Sequence, residues 1–287
     1  MKRIPLSFLA LIALIPMAGG IAVNRACAQA KAPSGPVQYA ALGSSFGAGP
    51  GIGTSDPDSP AQCHRSLENY AHLLAQKRGF ALTDATCSGA TTKSILEPWR
   101  SLPAQLDAVG PHTKLVTVTI GGNDVHFSTS LGIWSCMNAP HAGEQTPACG
   151  SVPSAPGDEA FAGLESNLRK IVEGIHQRSP NAKIVFVDYV TVLPLAGNCP
   201  GKLPLTSEEL EQGRATAARL VAVTKKVADD TGSALLQASE LTKEHDVCSS
   251  DPWVNGAPSA SVMVPYHPNA EAMHAIAERL DRMLPSF

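Results

Sequence analysis

Charge is sparse in this chain and nearly balanced: Asp, Glu, Lys and Arg make up 16% of the residues, and the formal net charge is −3 at pH 7. No basic stripe is present to meet a phosphate backbone, so a nucleic-acid role has no support. Metal-ligand spacing is missing too. Neither a C-x-x-C pair nor H-E-x-x-H occurs, and no metal is expected. The glycine run after Gly43 fails as a phosphate loop: no Gly-Lys-Ser/Thr closes it, Ile52 and Thr54 stand where G-x-G-x-x-G needs glycine, and Pro50 has no N–H. No internal repeat or long low-complexity tract marks a second domain. Aromatic residues are only 5%, which gives a sugar-stacking surface modest support.

What is present begins with an export signal. Met1, Lys2 and Arg3 precede an apolar run from Ile4 to Val23, which Pro16 and Gly19-Gly20 interrupt, and Ala28-Gln29-Ala30 follows. This basic, apolar and small-residue order predicts a signal peptide over residues 1–30, cleaved after Ala30, and a single domain over 31–287. The broken apolar run suits an uncleaved anchor poorly, so no stable membrane span is expected after cleavage. Cys27 falls in the leader. Its removal leaves Cys63, Cys87, Cys136, Cys149, Cys199 and Cys248, an even set that reads as a disulfide framework in a secreted or periplasmic chain. Several connectivities are possible in principle.

After the linker Lys31 to Pro36, residues 37–42 read as a buried strand that ends at Gly43. Leu67, Tyr70, Ala71 and Leu74 recur at helical spacing and predict a helix over about 66–78, followed by a strand over 80–86. A helix carrying Leu102 and Leu106 leads into the β-branched run Leu115 to Ile120, the clearest strand. Helices over about 159–177, 207–230 and 269–283 then alternate with strands at 183–189 and 234–236. Parallel neighbours need crossover connections, so this alternation predicts a three-layer α/β/α fold with a central parallel sheet. In such sheets ligands gather outside the carboxyl ends of the strands.

Gly43-Ser44-Ser45-Phe46-Gly47 fits G-x-S-x-G, a serine exposed on a tight strand-to-helix turn. The α/β-hydrolase architecture does not suit it, because there several strands precede the nucleophile and here only one does. Three further elements fall after strands or before the last helix: Cys87-Ser88-Gly89-Ala90, Gly121-Gly122-Asn123-Asp124 and His267-Pro268-Asn269. Taken singly, Gly89 is a bend, Asn123 a turn residue, Asp124 a cap and His267 a helix-entry residue. The remaining histidines show no partner pattern.

Together the four elements resemble the SGNH, or GDSL, hydrolase family. The segments ALGSSFGAG, CSGATT, IGGND and YHPNAEA stand in the order and approximate separation of that family's four blocks, from Tyr39 to the last helix. With the six cysteines, the chain resembles the secreted actinomycete-type lipase and esterase branch. The resemblance implies the flavodoxin-like SGNH version of the fold, with Ser45 as nucleophile and His267 as general base and then acid. It implies an oxyanion hole made by the N–H groups of Ser45 and Gly89 and the side-chain amide of Asn123. It also implies disulfides between sequence neighbours, Cys63–Cys87, Cys136–Cys149 and Cys199–Cys248, the pairing we choose. No cofactor is implied.

Two positions depart from the family. Ser44 stands where block one usually has aspartate, and Val264 stands three residues before the histidine, where the family has its triad acid. A valine side chain accepts no hydrogen bond. We therefore expect the Val264 backbone carbonyl to orient His267 in a Ser-His dyad, with Asp251 or Asp246 as the alternative acid. The Gly-, Pro- and Ser-rich stretch from Asp124 to about Glu159, with Trp134 and Met137, is expected beside the site. Leu193 to Leu205 and Asp251 to Pro265, with Trp253, would form the other wall. The resulting reading is a secreted, cofactor-free, monomeric hydrolase of acyl-lipid or short-chain esters, acting through an acyl-Ser45 intermediate. The alternatives are a polysaccharide or glycan O-acetyl esterase and a non-catalytic glycan- or lipid-binding module.

Overall fold

The computed structural model describes Met1 and residues 35–138, 149–257 and 264–287. Apart from Met1, the signal-peptide expectation falls on residues outside that set. From Pro36 to Phe287 the chain forms one compact unit.

Five strands pair in parallel: β1 (Gln38–Gly43), β2 (Ala81–Asp84), β3 (Thr113–Thr119), β4 (Lys183–Val187) and β5 (Ala234–Leu236), in the order β2-β1-β3-β4-β5. β1 and β3 are buried along nearly their whole length, as central strands covered on both faces must be. The chain leaves β1 towards β2 on one side and then returns to β3 on the other. The carboxyl ends of β1 and β3 therefore flank a topological switch point, where open α/β sheets place their ligands.

The helices are α1 (Ser45–Ala48), α2 (Tyr70–Arg78), α3 (Thr92–Leu96), α4 (Phe127–Asn138), α5 (Asp158–Arg178), α6 (Ser207–Thr231), α7 (Ala238–Leu241) and α8 (Ala270–Met283). α2 packs on α8, while α5 packs on α3 and α6, and α4 on α6, giving the α/β/α layers. Local chemistry explains the boundaries. The Thr206 hydroxyl and the Glu209 carboxylate form a reciprocal capping box that starts α6, and Gly232 ends it in the left-handed conformation. The Asn69 side chain accepts from the His72 N–H at 3.0 Å, so α2 starts at Tyr70, later than its apolar spacing predicts.

Two expectations change. The helix predicted around Leu102 and Leu106 is only a 3-10 turn, Gln105–Ala108, confined between Pro103 and Gly110-Pro111. The Gly-, Pro- and Ser-rich stretch after Asp124, for which no helix is predicted, holds the three-turn helix α4. Phe127, Leu131 and Trp134 bury one face of it.

Candidate active site

The first functional turn is built at the end of β1. At Gly43 a Cβ would come within 2.5 Å of the Thr119 carbonyl oxygen, so only glycine fits against β3. Gln105, itself buried, accepts from the Gly43 N–H at 2.7 Å and donates to the Gly43 carbonyl at 2.9 Å. The Ser44 N–H donates to the Thr119 carbonyl at 2.9 Å. The chain then turns into α1 with Ser45 as its first residue. That position leaves the Ser45 N–H without an intrahelical partner, and it has none among the described residues.

His267 comes from the far end of the sequence. It stands two residues before Asn269, whose side chain caps α8 by accepting from the Ala272 N–H at 3.2 Å. The His267 Nε2 lies 2.7 Å from the Ser45 Oγ, and the Nδ1 lies 2.8 Å from the Pro265 carbonyl oxygen. A carbonyl only accepts, so Nδ1 carries the proton and Nε2 is free to accept from the serine hydroxyl. Burial pulls the imidazole pKa down to about 4, the Pro265 carbonyl opposing that shift, so the ring is neutral at pH 7.

The expectation for Val264 is corrected here. Its carbonyl accepts from the Asn255 side-chain amide at 3.2 Å, and the carbonyl one residue later meets the histidine. Between Pro265 and His267 stands Tyr266, with a φ of 61°. Neither alternative acid reaches the ring. Asp251 is turned to His245 and Trp253, at 3.4 and 3.3 Å, and Asp246 accepts from the Cys248 N–H at 2.7 Å.

Gly89 sits in the turn after β2. The Cys87 N–H donates to the Gly43 carbonyl at 3.0 Å, the Ser88 N–H to the Cys63 carbonyl at 3.1 Å, and the Ala90 N–H closes the turn on the Cys87 carbonyl at 3.0 Å. Gly89 has φ 82°, which glycine adopts without strain, and its N–H has no partner among the described residues. The Asn123 Nδ2 donates to the Ala90 carbonyl at 2.8 Å, which fixes the amide against this turn and leaves its second hydrogen unused. The Gly122 N–H donates to the Tyr189 hydroxyl at 2.7 Å, and that hydroxyl also lies 3.3 Å from the Ser44 Oγ. Asp124 is occupied elsewhere: it holds the N–H and hydroxyl of Thr92 at the start of α3, and burial raises its pKa.

Ser45, Gly89, Asn123 and His267 line one cleft of about 710 Å³. One wall is Pro50, Gly51, Ser55 and His64, and the other is Ser128, Thr129, Gly132 and Ile133 of α4, with Cys149, Val264 and Pro265 beside them. The expected walls are only partly right. Trp134 faces the core, Trp253 stacks on His245 at 3.7 Å, and Leu193 lines a separate groove against α6. Residues 258–263 of the second wall lie outside the described residues. The disulfides join Cys63 to Cys87, Cys136 to Cys149 and Cys199 to Cys248. The first abuts the Gly89 turn, and the second ends α4. Gln105, Tyr189, Pro265 and Ile133 belong to no sequence motif, and His64 carries no partner pattern. Their roles arise from contacts between residues far apart in the chain.

Comparison with known proteins identifies the family and the fold. Residues 41–275 match the model of the GDSL-like Lipase/Acylhydrolase family. Lipase 2 of Streptomyces coelicolor is 32% identical over 251 residues, covering 84% of each chain. The solved extracellular lipase of Streptomyces rimosus superposes with a TM-score of 0.67 at 28% identity, over 85% of this chain and 99% of that one. A phospholipase A1 from Streptomyces albidoflavus shares the fold, with a TM-score of 0.69 at 24% identity, over 86% and 99% of the two chains. The chain therefore belongs to the GDSL-like, or SGNH, lipase and acylhydrolase family and is a carboxylic ester hydrolase on its three-layer α/β/α fold.

Proposed function

We propose that this hydrolase cleaves acyl-lipid and short-chain esters through an acyl-Ser45 intermediate, with His267 as the sole base of a Ser-His dyad. The observation that carries the reading is the 2.7 Å contact between the Ser45 Oγ and the His267 Nε2 beside two unpaired backbone N–H groups. Nε2 takes the hydroxyl proton as Oγ attacks the ester carbonyl. The resulting oxyanion is held by the N–H groups of Ser45 and Gly89 and the free hydrogen of Asn123. The protonated imidazole then gives its proton to the leaving alcohol. Water repeats the sequence against the acyl-enzyme and releases the acid. The Pro265 carbonyl does the orienting work that a carboxylate performs in a triad, holding the tautomer without adding a charge.

The walls of the cleft support this substrate class. No aromatic side chain is among the described residues lining the cleft, so a sugar ring has nothing to stack on. Gly132, Ile133, Val264 and Pro265 offer an apolar surface to an acyl chain. The lipase relatives point the same way, and export with a cleaved leader, as a monomer, completes the proposal. The deciding experiment is mass spectrometry after fluorophosphonate treatment of wild type, Ser44→Ala, Ser45→Ala and His267→Ala. An adduct on Ser45 that is lost in Ser45→Ala, slowed in His267→Ala and kept in Ser44→Ala is expected. Labelling of another residue, or none on folded protein, overturns the reading.

A further inference from the structure

Tyr266 combines three properties that the catalytic reading leaves unused. It is fully buried with φ 61°, a left-handed conformation that is an outlier for a bulky aromatic residue and persists only where its surroundings impose it. Those surroundings are visible. The Tyr266 N–H donates to the Asn255 carbonyl at 2.8 Å, the Asn255 N–H donates to the His267 carbonyl at 3.0 Å, and Val254 forms an isolated antiparallel bridge with Pro268. The Tyr266 hydroxyl shares a buried hydrogen bond with the Ser135 Oγ on α4. Ser135 directly precedes Cys136 of the Cys136–Cys149 disulfide, and it follows the residues of α4 that wall the cleft.

We propose that Tyr266 is the positioning residue of the His267 base: its left-handed backbone turns the Pro265 carbonyl onto Nδ1, and its hydroxyl locks that turn to the α4 wall through Ser135. The inference rests on the Ser45–His267 dyad and deepens it. Without an acid, nothing else on the described chain holds the imidazole at Nδ1. The strained turn keeps its shape because both ends of Tyr266 are tied, the backbone to Asn255 and the ring to α4. Burial holds the phenol pKa up to about 12, so the hydroxyl keeps its proton across the working range. A base set by this device is coupled to the wall that meets the substrate.

The test measures the rate of Ser45 phosphonylation by a fluorophosphonate between about pH 3 and pH 8, the span over which a histidine base titrates. The reference is His64→Gln alone, and Tyr266→Phe, Ser135→Ala, the double variant and Ser135→Thr are each made in that background, with unaltered wild type labelled alongside. His64 is the other ionisable side chain among the described residues of the cleft, and replacing it leaves His267 as the one such group among them. Tyr266→Phe retains the ring and its packing. Its plateau rate is expected to fall about tenfold, a fraction of what general-base catalysis supplies. Its acidic limb should move to lower pH, because the Pro265 carbonyl raises the His267 pKa and a loosened turn weakens that contact. Ser135→Ala should match it, the double variant should be no slower than either, and Ser135→Thr should keep the profile of the His64→Gln reference. An unchanged rate, or a loss at every pH with the limb unmoved, overturns the inference, since either marks a hydroxyl that only packs. Failure of wild type itself to label overturns the dyad and takes this inference with it.

Discussion

Gln105 clasps Gly43 by both backbone groups, accepting from its N–H at 2.7 Å and donating to its carbonyl at 2.9 Å. A side chain from a short 3-10 turn thereby holds the residue two places before Ser45. Gln105→Leu leaves a buried N–H unpaired, a loss of about 1–3 kcal/mol, and releases the serine turn. Thermal melting and Ser45 labelling should both decline, with Gln105→Glu intermediate because it keeps the acceptor and loses the donor. A fall in melting temperature with an unchanged labelling rate would limit Gln105 to a stabilising role.

Asn123→Ala separates two functions of one amide. It removes the bond to the Ala90 carbonyl, worth about 1 kcal/mol, and the proposed oxyanion donor, worth about a hundred- to a thousandfold in kcat. Ester turnover should drop by that factor while melting shifts slightly. Unchanged kcat would mean the side chain serves only the Gly89 turn.

Acid should cost this protein stability through His267. Its folded pKa of about 4 lies below the unfolded value of about 6.5, so the unfolded chain takes up the proton first as pH falls. The contribution is complete above pH ~6.5 and is lost as pH falls through the folded pKa near 4, about 3 kcal/mol in all. His267→Gln should flatten that part of the stability profile measured by urea unfolding. In the active enzyme the acidic limb of kcat/KM should lie near pH 4, well below that of an exposed histidine base.

Removal of disulfides should divide stability from activity. Cys63–Cys87 and Cys199–Cys248 span 24 and 49 residues, and in the chain-entropy model they contribute about 3.5 and 4 kcal/mol. Paired Cys→Ala substitutions should lower melting in both cases. Of these two, only loss of Cys63–Cys87 should also slow ester hydrolysis, since Cys87 is joined to Gly43 and stands two residues before Gly89, whereas neither Cys199 nor Cys248 is among the described residues lining the cleft.

Ile133 projects into the cleft from α4. Ile133→Trp should shorten the preferred acyl chain in a series of p-nitrophenyl esters, reducing kcat/KM for long chains while sparing acetate. A uniform loss across the series would place the acyl group against another wall.

Most of the sheet was legible because its strands are local signals. The β-branched run of β3 and the apolar runs of β1 and β4 are buried strands wherever they occur, and α5, α6 and α8 carry helical spacing over enough turns to be plain. The helix at Leu102 was misjudged because spacing alone ignored Pro103, and α4 was missed because its serines, threonine and glycine carry a weak helix signal.

By itself the sequence determined the family and offered the residues of the proposed chemistry: the Gly43-Ser44-Ser45 turn, Gly89, Asn123, the late His267 and an even set of cysteines are residue types at positions along one chain. What orients the histidine was decided by tertiary structure alone. Val264 and Pro265 both offer a carbonyl, and their sequence does not distinguish them. The choice falls to Pro265 because Asn255 engages Val264 and holds Tyr266 in a left-handed turn, while Ser135 ties its ring to α4. Backbone carbonyls are identical in sequence; only the fold decides which one points at a ring.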